Sequence, residues 1–363
     1  MKKQIAIIGS GPSAFLLAAF LDTNKFKVTI YEKNKTSGRK FLVAGKGGFN
    51  LTHSEAIEKL IKRYSPNDFL ENALLNFTNI DFRNWLDNIG IPTYIGSSKR
   101  VYPIPGIKPI EVLNAILKHL KEKHVIIKYD QTFSDWDIND NPIINDKTLE
   151  TDYTIFSLGR SSWSVTGSNG NWLDTFSKKG IQTKAFQASN CAHHIDWKPD
   201  FINKNEGMPL KNIAISCNNI TQKGEAVITK FGLEGNAIYG LSPQIRAQLN
   251  ANSAALVYVD FKPSLPLKTI QSKLNASMYR NTTEILKKEL KRSPTQIDLL
   301  KRYLSKENYL NLVSLSQHIK NFPLKIRQTA SIDEAISTVG GIDSNALTQN
   351  FELKSMSNQF CIG

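Results

Sequence analysis

The feature that most constrains this chain is a glycine turn inside a complete strand–helix–strand unit, all within the first 32 residues. Ile5-Ala6-Ile7-Ile8 is a short apolar run weighted toward β-branched residues, suited to a parallel strand covered on both faces. Gly9, Gly11 and Ala14 follow in the G-x-G-x-x-G/A spacing. Gly9 permits the tight turn, Gly11 lets backbone approach a pyrophosphate with no Cβ in the way, and Ala14 keeps helix and strand close. Pro12 suits a first helical turn, and the apolar run from Phe15 to Phe20 continues the helix, so its positive dipole end faces the turn. A second strand, Val28-Thr29-Ile30-Tyr31, ends at Glu32 and Lys33. Glu32 stands 21 residues past Gly11, the distance at which an acid hydrogen-bonds an adenosine ribose. The expected fold is α/β with a Rossmann-like unit, and an acid at this place favours an unphosphorylated 2′-hydroxyl.

A secretory signal is the competing reading of the same stretch, because Met1-Lys2-Lys3 precedes a nearly apolar run to Leu21. Gly-Ser-Gly-Pro breaks that run early, no small-x-small cleavage site follows, and the second strand with its acid would then be coincidence. No other stretch is apolar for long enough to span a membrane. The 363 residues predict two or three domains. Cys191, Cys217 and Cys361 form no C-x-x-C pair, which argues against dithiol redox chemistry and for a reducing cytoplasm. The net charge is +14, and residues 262–327 carry fourteen Lys and Arg against four Asp and Glu.

Beyond the first unit, GRKFLVAGKGGFNLTHSE reads as a second phosphate-contacting loop. Gly45, Gly47 and Gly48 would let backbone N–H groups converge, Arg39 and Lys40 would supply charge, and Asn50 and Thr52 would meet a polar ring edge. It is not a Walker A loop, since Gly47 stands where Ser or Thr should hold magnesium. Residues 54–124 turn helical, with a strand-like YIGSSKRVYPIP that places Arg100 and Tyr102 either at the active site or on an exposed hairpin. Val125-Ile126-Ile127 is a third strand whose backbone would contact an adenine ring. Tyr153 to Phe156 is another buried strand, leading through Leu158 and Gly159 into the polar loop SSWSVTGSNGNW.

Together, GSGPSA with Glu32, the GRKFLVAGKGGFNLTHSE loop, SLGRSSWSVTGSNG, FGLEGNAIYGLS and AISTVGGID resemble bacterial aminoacetone oxidase-like, or BaiN-like, NAD(P)/FAD-dependent oxidoreductases. The resemblance runs in order along nearly the whole chain. It implies FAD, with Gly9, Gly11, Ser13 and Ala14 at the pyrophosphate and Glu32 at the ribose. On the same basis Arg39, Lys40, Gly47, Gly48, Asn50 and Leu51 would lie on the flavin side, with Val125 or Ile126 at adenine. Gly340 and Gly341 resemble a return to the flavin. One departure is Gly48-Phe49-Asn50, where many relatives have Arg-Cys-Asn, so any chemistry that depends on that arginine or cysteine is absent here.

The family also implies an insert. The expected organisation is a flavin-binding part at residues 1–186, an antiparallel β domain, a small barrel, at 187–264, a helical cap at 265–322 and a return at 323–363. NIAISCNN, GEAVITK and ALVYVDF supply the alternating strands, and Ile270, Leu274, Met278, Ile285, Leu286, Leu290, Leu299, Leu300 and Leu304 recur at helical intervals with basic residues between them. His193-His194 near Cys191 invites a metal reading, but alternation sends the pair to opposite faces and no second ligand cluster has zinc-like spacing. Within GLEGNAIYG, Glu234, Asn236 and Tyr239 are the better candidates for lining a substrate pocket. Tyr239, Asn50 and Arg100 are the weak catalytic candidates.

The chain ends at Gln359-Phe360-Cys361-Ile362-Gly363 where the resembling family continues with an acid, a glycine-rich turn and a last helix. A truncation, natural or constructed, is therefore expected, with weaker hold on the isoalloxazine. The leading functional expectation is a flavoenzyme passing a hydride between NAD(P)H or a small organic substrate and an acceptor. The alternatives are a flavoprotein that binds or modifies RNA through its basic helices, and an inactive remnant.

Overall fold

The computed structural model describes residues 1–43 and 49–363, so the expectations placed on Gly45, Gly47 and Gly48 lie outside the described residues. The chain divides into two compact units, residues 1–186 with 340–363, and residues 187–339.

In the first unit, the run predicted at residues 5–8 becomes the central strand of a five-stranded sheet. Lys3–Ile8 pairs in parallel with Phe26–Tyr31 on one side and Tyr153–Phe156 on the other. Ile126–Lys128 extends the first side and Gln359–Cys361 the second, both in parallel. Alternation along the central strand explains the layers. Ile5 and Ile7 face a cluster with Phe15, Ala18, Val112, Ile116 and Leu120, supplied by helices Pro12–Phe20 and Pro109–Glu122. Ala6 and Ile8 face Trp136, Ile144, Phe156 and Phe176 on the other side. There a small antiparallel sheet, Phe133–Trp136, Pro142–Ile144 and Lys147–Thr148, covers the parallel one. The result is a three-layer Rossmann-like arrangement, and burial on both faces is why the central strands read as continuous apolar runs.

The stretch YIGSSKRVYPIP forms a hairpin, Thr93–Ile95 against Arg100–Pro103, joined by Thr52–His53. The GRK segment is not loop throughout: Arg39–Val43 is a one-turn helix.

In the second unit, Pro209–Cys217, Ile220–Ile228, Gly232–Glu234, Ala255–Asp260, Phe322–Ile326 and His193–His194 build one antiparallel sheet. It closes on itself. His194 N donates to Gln328 O, Arg327 N to His194 O and Ala330 N to Ala192 O, so the first strand also meets the chain that follows the last. That closure is the small barrel expected from the alternating stretches. Because Phe322–Ile326 belongs to this barrel, the chain re-enters the first unit at residue 340 rather than 323. Helices from Leu267–Asn275 to Leu312–Lys320 pack Ile270, Leu274, Ile285, Leu286, Leu299, Leu300 and Leu315 into the same core. Met278, read as part of that pattern, instead lies between two helices and is 87% exposed.

Candidate nucleotide site

In the first unit, the carboxyl ends of the parallel strands converge on a cavity of about 650 Å³. The sheet order makes this the place where successive strands run off in opposite directions from Lys3–Ile8, which is where open α/β sheets bind ligands. Its volume lies within the roughly 300–1,000 Å³ of small-molecule sites.

The two fingerprint glycines do different work. A Cβ on Gly9 would sit 2.2 Å from Ser157 O, and the residue's φ of +104° is a conformation side chains rarely adopt. The protein's own backbone therefore demands Gly9. At Gly11 a Cβ would meet nothing within 4 Å among the described residues, and φ is an ordinary −91°. No contact with the described residues requires Gly11, so the space beside it is open. Gly11 is also the N-cap of helix Pro12–Phe20 and has no side chain to bond the helix end, so first-turn N–H groups point at that space. Pro12 and Ser13 line the cavity, and Ser13 Oγ lies 2.8 Å from Ser157 Oγ. Ala14 is fully buried in the core beneath it, the close packing its place in the fingerprint predicts.

Glu32 is buried and locked at the end of its strand. Its Oε2 accepts from Ser10 N at 3.0 Å and Ser10 Oγ at 2.5 Å, and its Oε1 from Asn34 N at 2.8 Å and Asn34 Nδ2 at 2.6 Å. Asn34 Oδ1 in turn accepts from Arg39 Nη1 at 2.9 Å, and Arg39 Nη2 donates to Val165 O at 3.0 Å. Lys40 Nζ donates to Ser162 Oγ at 2.8 Å and Ser168 Oγ at 3.3 Å. Burial holds its ammonium below the usual lysine pKa, and the nearby Arg160 adds to that. Lys33, Arg39, Lys40 and Arg160 thus line the cavity against one acid, Glu32. That imbalance suits a ligand carrying phosphates.

Among the other sequence candidates, Leu158 and Gly159 line this cavity, as does much of the polar loop from Thr166 to Trp172. Val125 is buried beside the helical face of the sheet and Ile126 is exposed; Gln131, Thr132 and Phe133, just after that strand, take the lining place instead. Leu51 packs against the core, and Asn50 lies outside the cavity lining. Arg100 stands in the Thr93–Pro103 hairpin, where the Tyr94 and Tyr102 rings pair at 5.7 Å. Gly340 and Gly341 line a second, apolar cavity of about 370 Å³ with Phe69, Phe156, Phe186 and Phe351, sharing Leu158, Gly159, Arg160, Trp172 and Gly363 with the first. A Cβ on Gly340 would lie 2.4 Å from Ala185 O. Tyr239 belongs to the second unit and packs against its core; burial, then Glu234, raises its phenol pKa. His193 is buried and His194 half-buried, on opposite faces as alternation requires.

Sequence reading missed Ser10, Asn34, Arg160, Ser162 and Gln131. Ser10 and Asn34 carried a usable signal, since they flank the glycine turn and the acid; Arg160 and Ser162 came close only through folding.

A parallel sheet whose strand ends gather a glycine turn, a helix N-terminus and a fixed acid defines a Rossmann-type nucleotide-binding protein. Residues 3–363 match the family described as HI0933-like protein Rossmann domain, and the chain belongs to that family. A ribosomal RNA dihydrouridine synthase of Haemophilus influenzae is 34% identical over 85 residues, covering 23% of this chain and 21% of that protein. The match spans about a fifth of that relative's length. Among solved structures, a 3-ketosteroid-delta4-(5alpha)-dehydrogenase from Rhodococcus jostii RHA1 aligns with TM-score 0.47 and 11% identity over 100% of this chain and 90% of its own. A quinol-fumarate reductase aligns with TM-score 0.48 and 14% identity over 100% of this chain and 66% of its own. Among the described residues, no helix is long and apolar enough to cross a membrane.

Proposed function

We propose that this chain is an FAD-dependent oxidoreductase whose first unit binds the adenosine and pyrophosphate of the cofactor. The observation that carries the reading is the open Cβ position at Gly11, at an uncapped helix N-terminus beside the buried Glu32. First-turn N–H groups and Gly11 would hold the pyrophosphate, Glu32 the ribose, and Arg39, Lys40 and Arg160 would balance phosphate charge. When bound, FAD supplies two-electron hydride chemistry, and the protein's part is to bind, orient and exclude water. NADH or NADPH is the proposed electron donor and a small organic molecule the proposed substrate.

The test is an anaerobic absorbance spectrum of the purified chain with added FAD, before and after NADH and then NADPH. The expected result is a flavin band that survives gel filtration and bleaches with one donor. A flavin band that stays with the small-molecule fraction would remove the reading.

A second reading is an RNA-modifying flavoprotein that reduces a uracil ring. Two observations favour it: the partial match to a ribosomal RNA dihydrouridine synthase, and the excess of ten positive charges in residues 262–327, where Lys268, Lys273, Arg280, Lys287, Lys288 and Lys301 are exposed. Binding to ribosomal RNA that falls steeply with salt is the expected signature, and no binding at about 50 mM salt would exclude it.

A further inference from the structure

We infer that the second cavity of the first unit, the one lined by Phe69, Phe186 and Phe351, binds a small uncharged aromatic molecule among its rings. The inference goes beyond the cofactor proposed for the neighbouring cavity and does not depend on it. Every residue of the lining belongs to the first unit.

The cavity holds about 370 Å³. That lies inside the roughly 300–1,000 Å³ of small-molecule sites, and well above the ~150 Å³ at which an apolar cavity already takes up benzene. Its walls are largely rings. Phe69 and Phe351 meet edge to face at 5.5 Å, Trp172 and Phe186 at 5.9 Å, and Trp172 and Phe176 at 5.1 Å. Ring faces are negative and ring edges positive, so such a lining favours a further aromatic ring over a saturated one of the same size.

These rings are fixed in place and left bare. Phe351 has a φ of +64°, an outlier for a bulky side chain, and it is held there because its N–H donates to Thr348 O at 3.0 Å and its carbonyl accepts from Cys361 N at 2.9 Å. Beside Phe186, Gly341 at φ +117° has no side chain to cover the ring, and a Cβ there would come within 3.8 Å of it.

The same lining offers little to a charged group. Among the described residues Arg160 is its only charged side chain, and that residue is exposed and also lines the nucleotide cavity. Trp172 spends its Nε1–H on Gly159 O at 3.0 Å. Burial pushes the Cys361 thiol up to about 12, so it stays uncharged. A carboxylate or ammonium among the rings would give up its hydration for no partner inside, whereas an uncharged ring gives up little and gains contact on its faces and edges.

The experiment is equilibrium dialysis of the full-length chain, with no flavin added, against 2-naphthol, its saturated analogue 2-decalol and the acid 2-naphthoate near neutral pH. 2-Naphthol is expected to bind saturably at one site, about tenfold tighter than 2-naphthoate and about threefold or more tighter than 2-decalol. Leu70 lines this cavity and not the nucleotide cavity, so Leu70→Trp should fill the space and weaken 2-naphthol about tenfold or more, while added ADP should leave it bound. Uptake that does not saturate, equal binding of 2-decalol or 2-naphthoate, displacement by ADP, or undiminished binding in a folded Leu70→Trp would overturn the inference. Should Leu70→Trp fail to fold, the ranking of the three probes and the competition with ADP decide. With no flavin in the experiment, its failure leaves the cofactor reading standing, and a failure of flavin binding leaves this result untouched.

Discussion

Ser10 places two donors on one oxygen of Glu32, its backbone N–H at 3.0 Å and its hydroxyl at 2.5 Å. Asn34 places two more on the other oxygen, so the carboxylate already accepts the roughly four hydrogen bonds it has room for. A ribose hydroxyl that bonds Glu32 must displace one donor, and the Ser10 hydroxyl, which can rotate away, is the one the geometry leaves free to move.

Ser10→Ala is therefore expected not to weaken FAD binding, whereas Asn34→Ala should weaken it about tenfold, because Asn34 positions both Glu32 and Arg39. Flavin fluorescence titration compares the two. A loss in Ser10→Ala equal to that in Asn34→Ala would contradict this account of the carboxylate.

Gly9 and Gly11 should separate stability from binding. Gly9→Ala forces a Cβ against Ser157 O at positive φ and is expected to cost about 3 kcal/mol or more. Gly11→Ala meets nothing among the described residues and should unfold at nearly the wild-type denaturant midpoint while binding FAD poorly. Equal midpoints for the two variants would refute the distinction.

Phe176 is fully buried and makes edge contacts with Trp136, Phe156 and Trp172. Phe176→Ala is expected to cost about 3–5 kcal/mol by opening a cavity under the sheet. Urea denaturation measures it, and a loss below about 1 kcal/mol would mean that this layer collapses to fill the gap.

His193 gives stability a defined pH dependence. Its pKa is about 4 in the fold against 6.5 in the unfolded chain, so below 6.5 the unfolded state binds the extra proton. Stability from this group is fully present above pH 6.5 and is lost as pH falls through 4, by roughly 3 kcal/mol at most. His193→Gln should flatten the stability–pH curve across that window. A variant curve parallel to the wild type would show that His193 does not carry the effect.

The nucleotide fold was legible because its signals are local. The strands Lys3–Ile8, Phe26–Tyr31 and Tyr153–Phe156 each hold an apolar run, and the glycine spacing and the acid at Glu32 lie within one short segment. The barrel was legible for the same reason, through alternation in Pro209–Cys217 and Ala255–Asp260. Met278 shows the limit of periodicity: helical spacing continued across a break between helices that the sequence did not mark. The hydrophobic pattern also could not say that Phe322–Ile326 belongs to the barrel rather than to the sheet.

What the amino-acid order determined alone is the kind of backbone each segment adopts and the turn at which a phosphate can be held, since both depend on neighbours in the chain. Only the tertiary structure decided that Ser162 and Ser168 come against Lys40, more than a hundred residues away. Such contacts follow from how whole elements pack. Packing is a property of surfaces that many sequence spacings can bring together, so no local pattern encodes it.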